Sequence, residues 1–509
     1  MTKARRRQQI AEVESITAPV GGINAVDAYA SMPATDALVM DNMFPTPSYV
    51  GVRAGSAAWV TGLSVKTLAC YSSAGGSRKL FATAAGNIYD VTSSGALGAA
   101  AVTGNTTDWW RFVNFGAGGG QYLYMVNGQD SPQLFNGTTW QAVTGVSAPI
   151  AITGATTSTF VNVNNFQGRL FFIIANSMKV AYLPLLSVGG AVNILDLSSQ
   201  TLLGGYLVAM ATWTIETTSG MTEMACFITS EGEVLVYQGN DPSYASSWYK
   251  MGTFRIGRPI GYRCTVRIGS DVAVICADGL VPLSKALLAN RSENAIAISY
   301  KIQNLINTDV QTYAANPGWQ AILHPIGNKL ILNVPASSTA YQYVQNTVNN
   351  SWCRYTAWNP TCFELMGDNL FYGSSTGVYQ CDVGNSDNGS SIQAVCIQAA
   401  SYFGSHANKQ ATMARPVMTA NGPVAPSFQI NADYDLTPPA NQNTFTTGAF
   451  TPWGSAWGSA WSPIFQIYKN WLSVGAIGYA LSPALAIAVN GATVTWQATD
   501  LAYLKGGPW

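Results

Sequence analysis

Short runs of β-branched and aromatic residues alternate with turn residues over most of the chain. Between about residues 63 and 381 one unit recurs, consisting of an apolar run, a Gly, Asn or Asp turn, and a second apolar run. This unit is typical of a β-hairpin, because residues that tolerate a positive φ favour a tight turn. Hairpins are predicted at residues 78–95, 121–140, 168–183, 225–239, 271–284, 328–355 and 368–382.

The turns recur at an even spacing along the chain. Comparable turn positions lie at multiples of roughly 45–50 residues, the spacing of a four-stranded propeller blade. They are Gly86, Ser131, Gly232, Gly279 and Gly327. We therefore predict a mainly β protein with a β-propeller over residues 61–395, for which about five to seven blades fit. A pair of β-sandwiches is the alternative, and it would not need the even period.

The residue composition changes after Cys396, and residues 396–509 are predicted to form an additional C-terminal antiparallel β module. One apolar stretch within it, Trp471–Val489, carries no charge. Glycines and a proline interrupt this stretch, and its last residues alternate at the period of a strand. The pattern favours buried strands over a membrane-spanning helix, so we expect no stable membrane insertion.

One helix is predicted within the propeller, near residues 299–315. Its apolar residues Ile302, Leu305, Ile306 and Tyr313 fall on one side of a helix, and Ser299 precedes them in the position of an N-cap. We expect this helix to lie on the flank of the propeller.

Charged residues are scarce, at 10% of the chain, and their formal net charge is zero. An ordinary globular protein has about 25%. A surface with so little charge is poorly protected against association, which indicates that much of it is covered in an assembly. The neutral balance argues against a protein that grips nucleic acid through its phosphates, but it is compatible with one that lets DNA slide past.

The cysteines and histidines do not form a metal-binding pattern. The chain has two histidines, His324 and His406, and no CxxC spacing, so neither a zinc site nor a cofactor is predicted. We interpret the eight cysteines as buried thiols of a protein made in a reducing cytoplasm rather than as disulfide partners. The basic N-terminus has no apolar segment behind it, so no secretory signal is expected.

A search for catalytic patterns yields only weak candidates. The sequence has no GxSxG elbow, no phosphate-binding loop and no HExxH motif. The acidic pairs Asp36/Asp41 and Glu231/Glu233 could serve a glycosidase, but Glu231 and Glu233 flank Gly232 in a predicted turn. We expect His324 to be structural, and we predict no catalytic residue.

Two local clusters indicate interaction surfaces. Lys3, Arg5, Arg6 and Arg7 form the one run of basic residues, and docking on a partner surface is favoured over a DNA contact. The segment TPWGSAWGSAWSP spaces three tryptophans by four residues. Trp453, Trp457 and Trp461 could form a carbohydrate-binding platform, although anchoring in a neighbouring chain is the simpler interpretation.

Two longer stretches carry a resemblance to a known family. In residues 16–55 it rests on Pro19, Gly21, Gly22, Met32, Pro33, Asp36, Ala37, Asn42, Pro45, Arg53 and Gly55. In residues 237–284 it rests on Gly239, Asp241, Pro242, Trp248, Gly252, Ile256, Gly257, Arg263, Asp278, Gly279, Leu283 and Ser284. With Gly475, Gly478 and the closing residues 506–508, these stretches resemble the tail nozzle proteins of short-tailed bacteriophages, the tail hub or tubular proteins of the DNA-stabilisation type.

The resemblance implies a structural virion protein rather than an enzyme. It implies a homo-hexamer in the virion tail, below the portal and the head-to-tail adaptor and next to tail fibres or a needle or plug. Double-stranded DNA would pass through the lumen without specific binding. The sequence leaves two rival functions open, a carbohydrate-binding tail adhesin and a propeller hydrolase that acts on host surface polysaccharide.

The resemblance also gives the N-terminal residues 1–60 a role, as a docking arm and a strap, residues 31–55, that leads into the propeller. Prolines such as Pro33 and Pro45 would hold the strap extended without ladder hydrogen bonds within the chain. Asp36, Asp41 and Asn42 would cap its turns. Together with Arg53 and the basic cluster, these residues are the docking candidates.

Overall fold

A computed structural model describes residues 11–217, 220–244, 246–286, 297–337, 339–440 and 465–506 of the chain. The described residues divide into two compact units. The first takes its residues from 1–57, 342–358 and 382–509, and the second from 58–341 and 359–381. This division differs from the predicted consecutive segments 1–60, 61–395 and 396–509, because strands near the start of the chain pair with strands near its end.

The chain is mainly β. Its strands are β1 (Glu12–Thr17), β2 (Gly22–Ile23), β3 (Asp36–Asp41), β4 (Met43–Pro45), β5 (Val50–Val52), β6 (Ser56–Thr61), β7 (Thr67–Ser72), β8 (Arg78–Ala84), β9 (Asn87–Asp90), β10 (Ala100–Val102), β11 (Arg111–Ala117), β12 (Gly120–Val126), β13 (Gln133–Phe135), β14 (Trp140–Ala142), β15 (Ile152–Thr153), β16 (Phe160–Phe166), β17 (Arg169–Ile174), β18 (Lys179–Tyr182), β19 (Gly190–Ala191), β20 (Asn193–Asp196), β21 (Leu207–Thr217), β22 (Gly220–Thr229), β23 (Glu233–Gly239), β24 (Trp248–Arg255), β25 (Thr265–Ile268), β26 (Asp271–Cys276), β27 (Gly279–Pro282), β28 (Gln320–His324), β29 (Lys329–Val334), β30 (Tyr341–Asn346), β31 (Trp352–Tyr355), β32 (Cys362–Met366), β33 (Asn369–Gly373), β34 (Gly377–Cys381), β35 (Ile392–Gln398), β36 (Lys409–Ala420), β37 (Ser427–Ala432), β38 (Gln466–Tyr468), β39 (Leu472–Ser473), β40 (Ile477–Gly478), β41 (Leu481–Val489) and β42 (Val494–Lys505). Within the described ranges the α-helices are α1 (Leu283–Ala286) and α2 (Gln303–Tyr313).

The described part of the second unit has the arrangement of a six-blade β-propeller. Five of its antiparallel sheets have four strands, namely β7–β10, β11–β14, β16–β18 with β20, β21–β24, and β32–β34 with β6. The sheet β25–β27 has three strands. The hairpin β28–β29 follows it, and β28 contacts both β25 and β32. Because β6 precedes the other blades in the chain and β32–β34 follow them, the closing sheet ties the two ends of the propeller together.

The core of the propeller lies between neighbouring blades. Phe81 meets Phe135 of the next blade edge-on, with ring centroids 4.9 Å apart. Tyr124 meets Phe172 in the same way at 5.4 Å. Phe371 of the closing blade shares a buried cluster with residues of the first blade. Each blade therefore buries its apolar face against the next, as the predicted propeller requires, since a single sheet could not bury that face alone.

The predicted hairpins are confirmed. The spans predicted from the apolar runs and turn residues contain the antiparallel pairs β8–β9, β12–β13, β17–β18, β22–β23, β26–β27, β30–β31 and β33–β34. Residues in the left-handed region occur at several of the turns, such as Gly86 (φ 76°) and Gly232 (φ 83°). The sequence signal was reliable here because each hairpin is a local unit whose turn chemistry and apolar alternation agree.

The first unit contains two groups of strands. One is an eight-stranded sheet in which β36 and β42 pair along most of their length, with β1, β4, β5, β38, β39 and β40 beside them. The other runs in the order β30, β31, β2, β3, β35, β41 and β37 within this unit. The predicted C-terminal β module is present, and it is completed by strands from the N-terminal residues.

The strap at residues 31–55 differs from its prediction. We expected an extended segment without ladder hydrogen bonds, and this is wrong, because the segment forms β3, β4 and β5. Strand β3 pairs with β35, β4 pairs with β5, and β5 pairs with β42. The prolines permit this pairing, since Pro33 precedes β3 and Pro45 ends β4 at the edge of its sheet, where a missing N–H costs little.

The predicted helix is confirmed as α2, preceded by a 3-10 turn at Tyr300–Ile302. Ile302 and Ile306 are buried, and the helix packs against the outer strand β27. The N-cap prediction is wrong, because the Ser299 side chain makes no capping hydrogen bond and instead accepts one from the Leu280 N–H at 3.1 Å.

The uncharged stretch Trp471–Val489 contains β39, β40 and the buried strand β41, as its alternation predicted. Among the described residues, no helix is long and apolar enough to cross a membrane.

Candidate functional site

Two docking candidates of the first unit, Asn42 and Arg53, are bonded to each other, and Arg53 is buried, at 2% exposed. Its Nε donates to Asn42 Oδ1 at 2.8 Å. Nη1 and Nη2 form a bidentate pair with the two carboxylate oxygens of Asp387, at 2.8 and 2.6 Å. The remaining two N–H groups donate to the carbonyls of Ala54 and Thr356. All five N–H donors of the guanidinium are therefore satisfied.

Two aromatic rings enclose this ion pair. The guanidinium carbon of Arg53 lies 4.7 Å from the ring centroid of Trp358 and 5.5 Å from that of Tyr355. Trp358 Nε1 also donates to Asp387 Oδ1 at 3.0 Å. The pair thus joins three chain segments of the first unit, around residues 53, 358 and 387, in a setting that excludes water and strengthens each electrostatic contact.

Asn42 occupies the left-handed region (φ 56°) between β3 and β4. Its side-chain oxygen accepts from Arg53 and from the Thr356 N–H. Its amide nitrogen donates to Thr356 Oγ1 and to the Gln393 carbonyl, both at 2.7 Å. Asparagine suits this position because it tolerates positive φ and can both donate and accept hydrogen bonds.

The remaining docking candidates of the strap also have partners within the chain. Asp41 forms a bidentate pair with Arg354, at 2.6 and 2.7 Å, on a half-buried surface. Asp36 is buried and accepts from the Asn24 amide at 2.7 Å. The carbonyls of Pro33 and Pro45 accept from the Asp36 N–H and from the Asn346 amide. These contacts give the strap a structural role, and a role in docking stays a prediction.

Gly55, the last residue of the first family-like stretch, lies against the chain near Asp387. A Cβ atom built on Gly55 would lie 2.0 Å from the carbonyl oxygen of Ser386, far inside van der Waals contact. Any larger residue would therefore push apart the two segments that the Arg53–Asp387 pair holds together.

Residues of the second family-like stretch stabilise the propeller. Asp241 pairs with Arg169 at 2.6 Å, with both side chains mostly buried. The Trp248 ring stacks on the Tyr237 ring, with centroids 5.4 Å apart. Gly239 has φ 137°, and a Cβ there would lie 1.9 Å from the Ser247 carbonyl oxygen. The likeness in this stretch therefore rests on residues that serve the fold.

A cavity of 560 Å³ opens within the second unit, where the segments that lead into β16, β21 and β25 come together with the start of β11. Arg111 lines it and is almost fully buried. Its guanidinium donates to the carbonyls of Tyr262 and Val161 and lies over the Tyr262 ring. Burial lowers the pKa of Arg111 to about 10, with the nearby Arg263 acting in the same direction.

A second group of charged residues lies near Arg263, which donates to Gln320 Oε1 at 3.1 Å and to the Trp110 carbonyl at 3.0 Å. Glu364 of β32 carries a carboxyl whose pKa is raised to about 8, because burial outweighs the attraction of Arg263. Arg111 and Glu364 were not predicted as site residues, because a single charged residue in an apolar run is typical of the polar face of a strand. The segment WWRF at residues 109–112 held the only hint, an arginine among aromatic residues.

The residues weighed as catalytic candidates have separate partners. Glu231 pairs with Arg258 at 2.7 Å on the surface, whereas the buried Glu233 carboxylate accepts from the N–H groups of Leu202 and Leu203. His324 is buried, and its Nε2 lies 3.1 Å from the Asp368 carbonyl oxygen.

The cysteines, all of which fall in the described part of the chain, form no disulfides, and each is buried. Among the described residues, no group of three or more His, Cys, Asp or Glu side chains could hold a metal ion.

Two predicted interaction clusters lie outside the described residues. They are the basic cluster Lys3, Arg5, Arg6 and Arg7, and the tryptophans Trp453, Trp457 and Trp461.

Comparison of the chain with protein-family models and with curated proteins finds no match.

Proposed function

We propose that this chain is a structural protein of a short-tailed bacteriophage, the tail nozzle, which forms the distal part of the DNA channel as a homo-hexamer. The proposal needs no catalysis. It starts from the two family-like stretches, whose residues hold the fold together at Arg53 in the first unit and at Asp241 and Trp248 in the second.

The observation that carries the proposal is a group of exposed apolar side chains on the outer face of the eight-stranded sheet of the first unit, a face that also carries the Arg415–Asp500 ion pair. Val13 is 62% exposed, Met413 41%, Ile467 62% and Ile477 61%. The strand register places these four side chains on one face, because Val13 and Met413 both lie opposite Ala502, while Ile467 and Ile477 lie opposite Thr419 and Gln410 of the same strand, β36.

An exposed apolar face of this kind is typical of a surface that a partner covers. The scarcity of charge points the same way, since 10% charged residues would give a freely dissolved protein little protection against association. A neighbouring copy of the chain is the partner we assign to this face, because the hexamer needs a repeated contact between identical subunits.

The zero net charge suits a conduit. Each phosphate that a protein neutralises strengthens its hold on DNA, so a lumen rich in arginine would retard the genome that it should release. The proposed partners are the portal and adaptor above and fibres or a plug beside or below, with the virion tail as the location. The basic cluster near the N-terminus is the proposed arm for docking on the adaptor.

Particles of the phage that encodes this chain, assembled with its gene disrupted, provide the test. Packaged DNA in such particles should become sensitive to added nuclease, and supplying the purified chain before nuclease should restore protection. If the DNA of particles without the chain is protected as well as that of wild-type particles, the chain does not close the channel and the proposal fails.

A further inference from the structure

The 560 Å³ cavity of the second unit has the size of a small-molecule site, and no role has been given to it so far. Its floor carries Arg111, and its rim carries the exposed rings of Tyr206 and Tyr262, which are 44% and 55% exposed. The rim also includes Gln129 and Asn176.

Arg111 has no counter-charge among the described residues. Within the described residues its partners are the carbonyls of Tyr262 and Val161 and the ring of Tyr262, and no carboxylate pairs with it. Its Nη2 makes no hydrogen bond to any described residue. Buried charges are normally paired, because an uncompensated ion loses its solvation without gaining a partner. A guanidinium in this state at the floor of a cavity favours an anionic ligand.

The rim supplies a different kind of contact. Tyr206 and Tyr262 present aromatic surface to the cavity, and their hydroxyl groups make no hydrogen bond to a described residue. The same holds for the exposed side-chain amide of Asn176 and for Nε2 of Gln129. Rings with polar tips and free amides can bind a compact ligand that has both C–H surface and hydroxyl groups.

The other charges around the cavity leave this preference intact. Arg258 lines the cavity and pairs with Glu231 at its exposed end. Residues 314–317 after helix α2 form part of the wall, and the last-turn carbonyl of Tyr313 already accepts from the Asn316 N–H and Trp319 Nε1. Arg111 is therefore the unpaired charge of the described lining.

We propose that this cavity binds an acidic sugar residue, such as a hexuronate. Its carboxylate accepts from Arg111 Nη2, its ring lies against Tyr262 or Tyr206, and its hydroxyl groups bond to Asn176 and Gln129. The proposal concerns one chain by itself and does not depend on the assembly into a nozzle.

Calorimetric titration of the purified full chain tests the proposal with three probes: D-glucuronate, D-glucose and inorganic phosphate. Glucuronate should saturate a single site and bind at least about tenfold more tightly than glucose, because only glucuronate forms a charge-assisted hydrogen bond with Arg111. Arg111→Gln should abolish this preference. Arg255→Gln is the matched control, because Arg255 is exposed in the same unit and does not line the cavity.

Arg111 is buried, so a folded Arg111→Gln variant is not assured, and a rim variant gives an independent reading. Asn176→Asp adds a negative charge at an exposed position where φ is 50°, which Asp tolerates. It should weaken glucuronate binding several-fold more than glucose binding, because both sugars lose the amide donor of Asn176 but only glucuronate carries a charge that the new carboxylate repels.

Failure of glucuronate to saturate the wild-type chain by about 10 mM overturns the proposal. Phosphate binding as tight as that of glucuronate overturns the assignment to a sugar, since the rim would then contribute nothing. Equal effects of Arg111→Gln and Arg255→Gln would place the ligand elsewhere.

Discussion

Replacing Arg53 by alanine should destabilise the first unit strongly. The substitution leaves the Asp387 carboxylate, 13% exposed, without its counter-charge. It also removes the donor to the Thr356 carbonyl and one of the two donors to Asn42 Oδ1. Breaking one side of a buried ion pair costs about 3–5 kcal/mol. We therefore expect Arg53→Ala to lower the free energy of unfolding of this unit by that amount.

Arg354→Ala is the matched control. Arg354 also forms a bidentate pair with an aspartate in the same unit, but the side chains of Arg354 and Asp41 are 36% and 21% exposed. A solvated pair contributes about 0–1 kcal/mol, so this variant should unfold close to the wild type.

Urea denaturation followed by tryptophan fluorescence measures both effects, since Trp358 lies against the Arg53 guanidinium and reports on its surroundings. Both arginines form a bidentate pair with an aspartate in the same unit, so the comparison tests the buried surroundings of Arg53, including its bonds to Asn42 and Thr356. If Arg53→Ala and Arg354→Ala lower the unfolding free energy by amounts within about 1 kcal/mol of each other, then the enclosed Arg53–Asp387 pair is not what holds the strap, and the reasoning is refuted.

Three further predictions concern other features. Gly55→Ala should lower the unfolding free energy by about 2 kcal/mol or more, because its Cβ would meet the Ser386 carbonyl. The control Gly475→Ala has open space around it and should change the unfolding free energy little. Equal melting temperatures for the two variants would contradict the steric argument. The pKa of Glu364 is raised from 4.5 to about 8 in the folded chain, so the unfolded chain loses this proton first and stability should fall as pH rises from 4.5 to 8. Glu364→Gln should flatten that part of the stability profile, and an unchanged profile would show that Glu364 is not the group responsible. Burial raises the pKa of the Cys264 thiol to about 11, and all eight cysteines are buried. A thiol reagent should therefore react slowly with the native chain and should label eight thiols after unfolding. Rapid labelling of the native chain would contradict this prediction.

The propeller could be predicted from the sequence because its information is local. Each hairpin carries its own turn residue and apolar alternation, as in Gly232 between β22 and β23, and the even spacing of such turns indicates blades. The strap could not be predicted in the same way. Strands β3 and β5 pair with β35 and β42, more than three hundred residues away, as when Met40 pairs with Cys396. Nothing in the proline-rich composition of the strap encodes that distant pairing.

The candidate sites likewise combine residues that the sequence indicates with partners that it does not indicate. Arg53, Asn42 and Asp41 were recognisable as candidates from the strap sequence, but their partners Asp387 and Arg354 lie in segments that no spacing rule connects to them. Arg111 could not be predicted, because the sequence does not show which side chains surround an arginine after folding. Only the described structure shows that no carboxylate pairs with it. A missing partner becomes visible only once the blades are assembled.

The proposed assembly is tested by electron microscopy of the purified chain, alone and mixed with any portal and adaptor proteins encoded by the same genome. We expect six-fold rings with a central opening wide enough for duplex DNA, formed by the chain alone or on the adaptor. We expect single chains for the double variant Ile467→Lys and Ile477→Lys, and intact rings for the control Val146→Lys, whose side chain is 94% exposed in the second unit. A wild-type chain that stays single with and without these proteins, or rings that survive the double variant, would contradict the proposed hexamer.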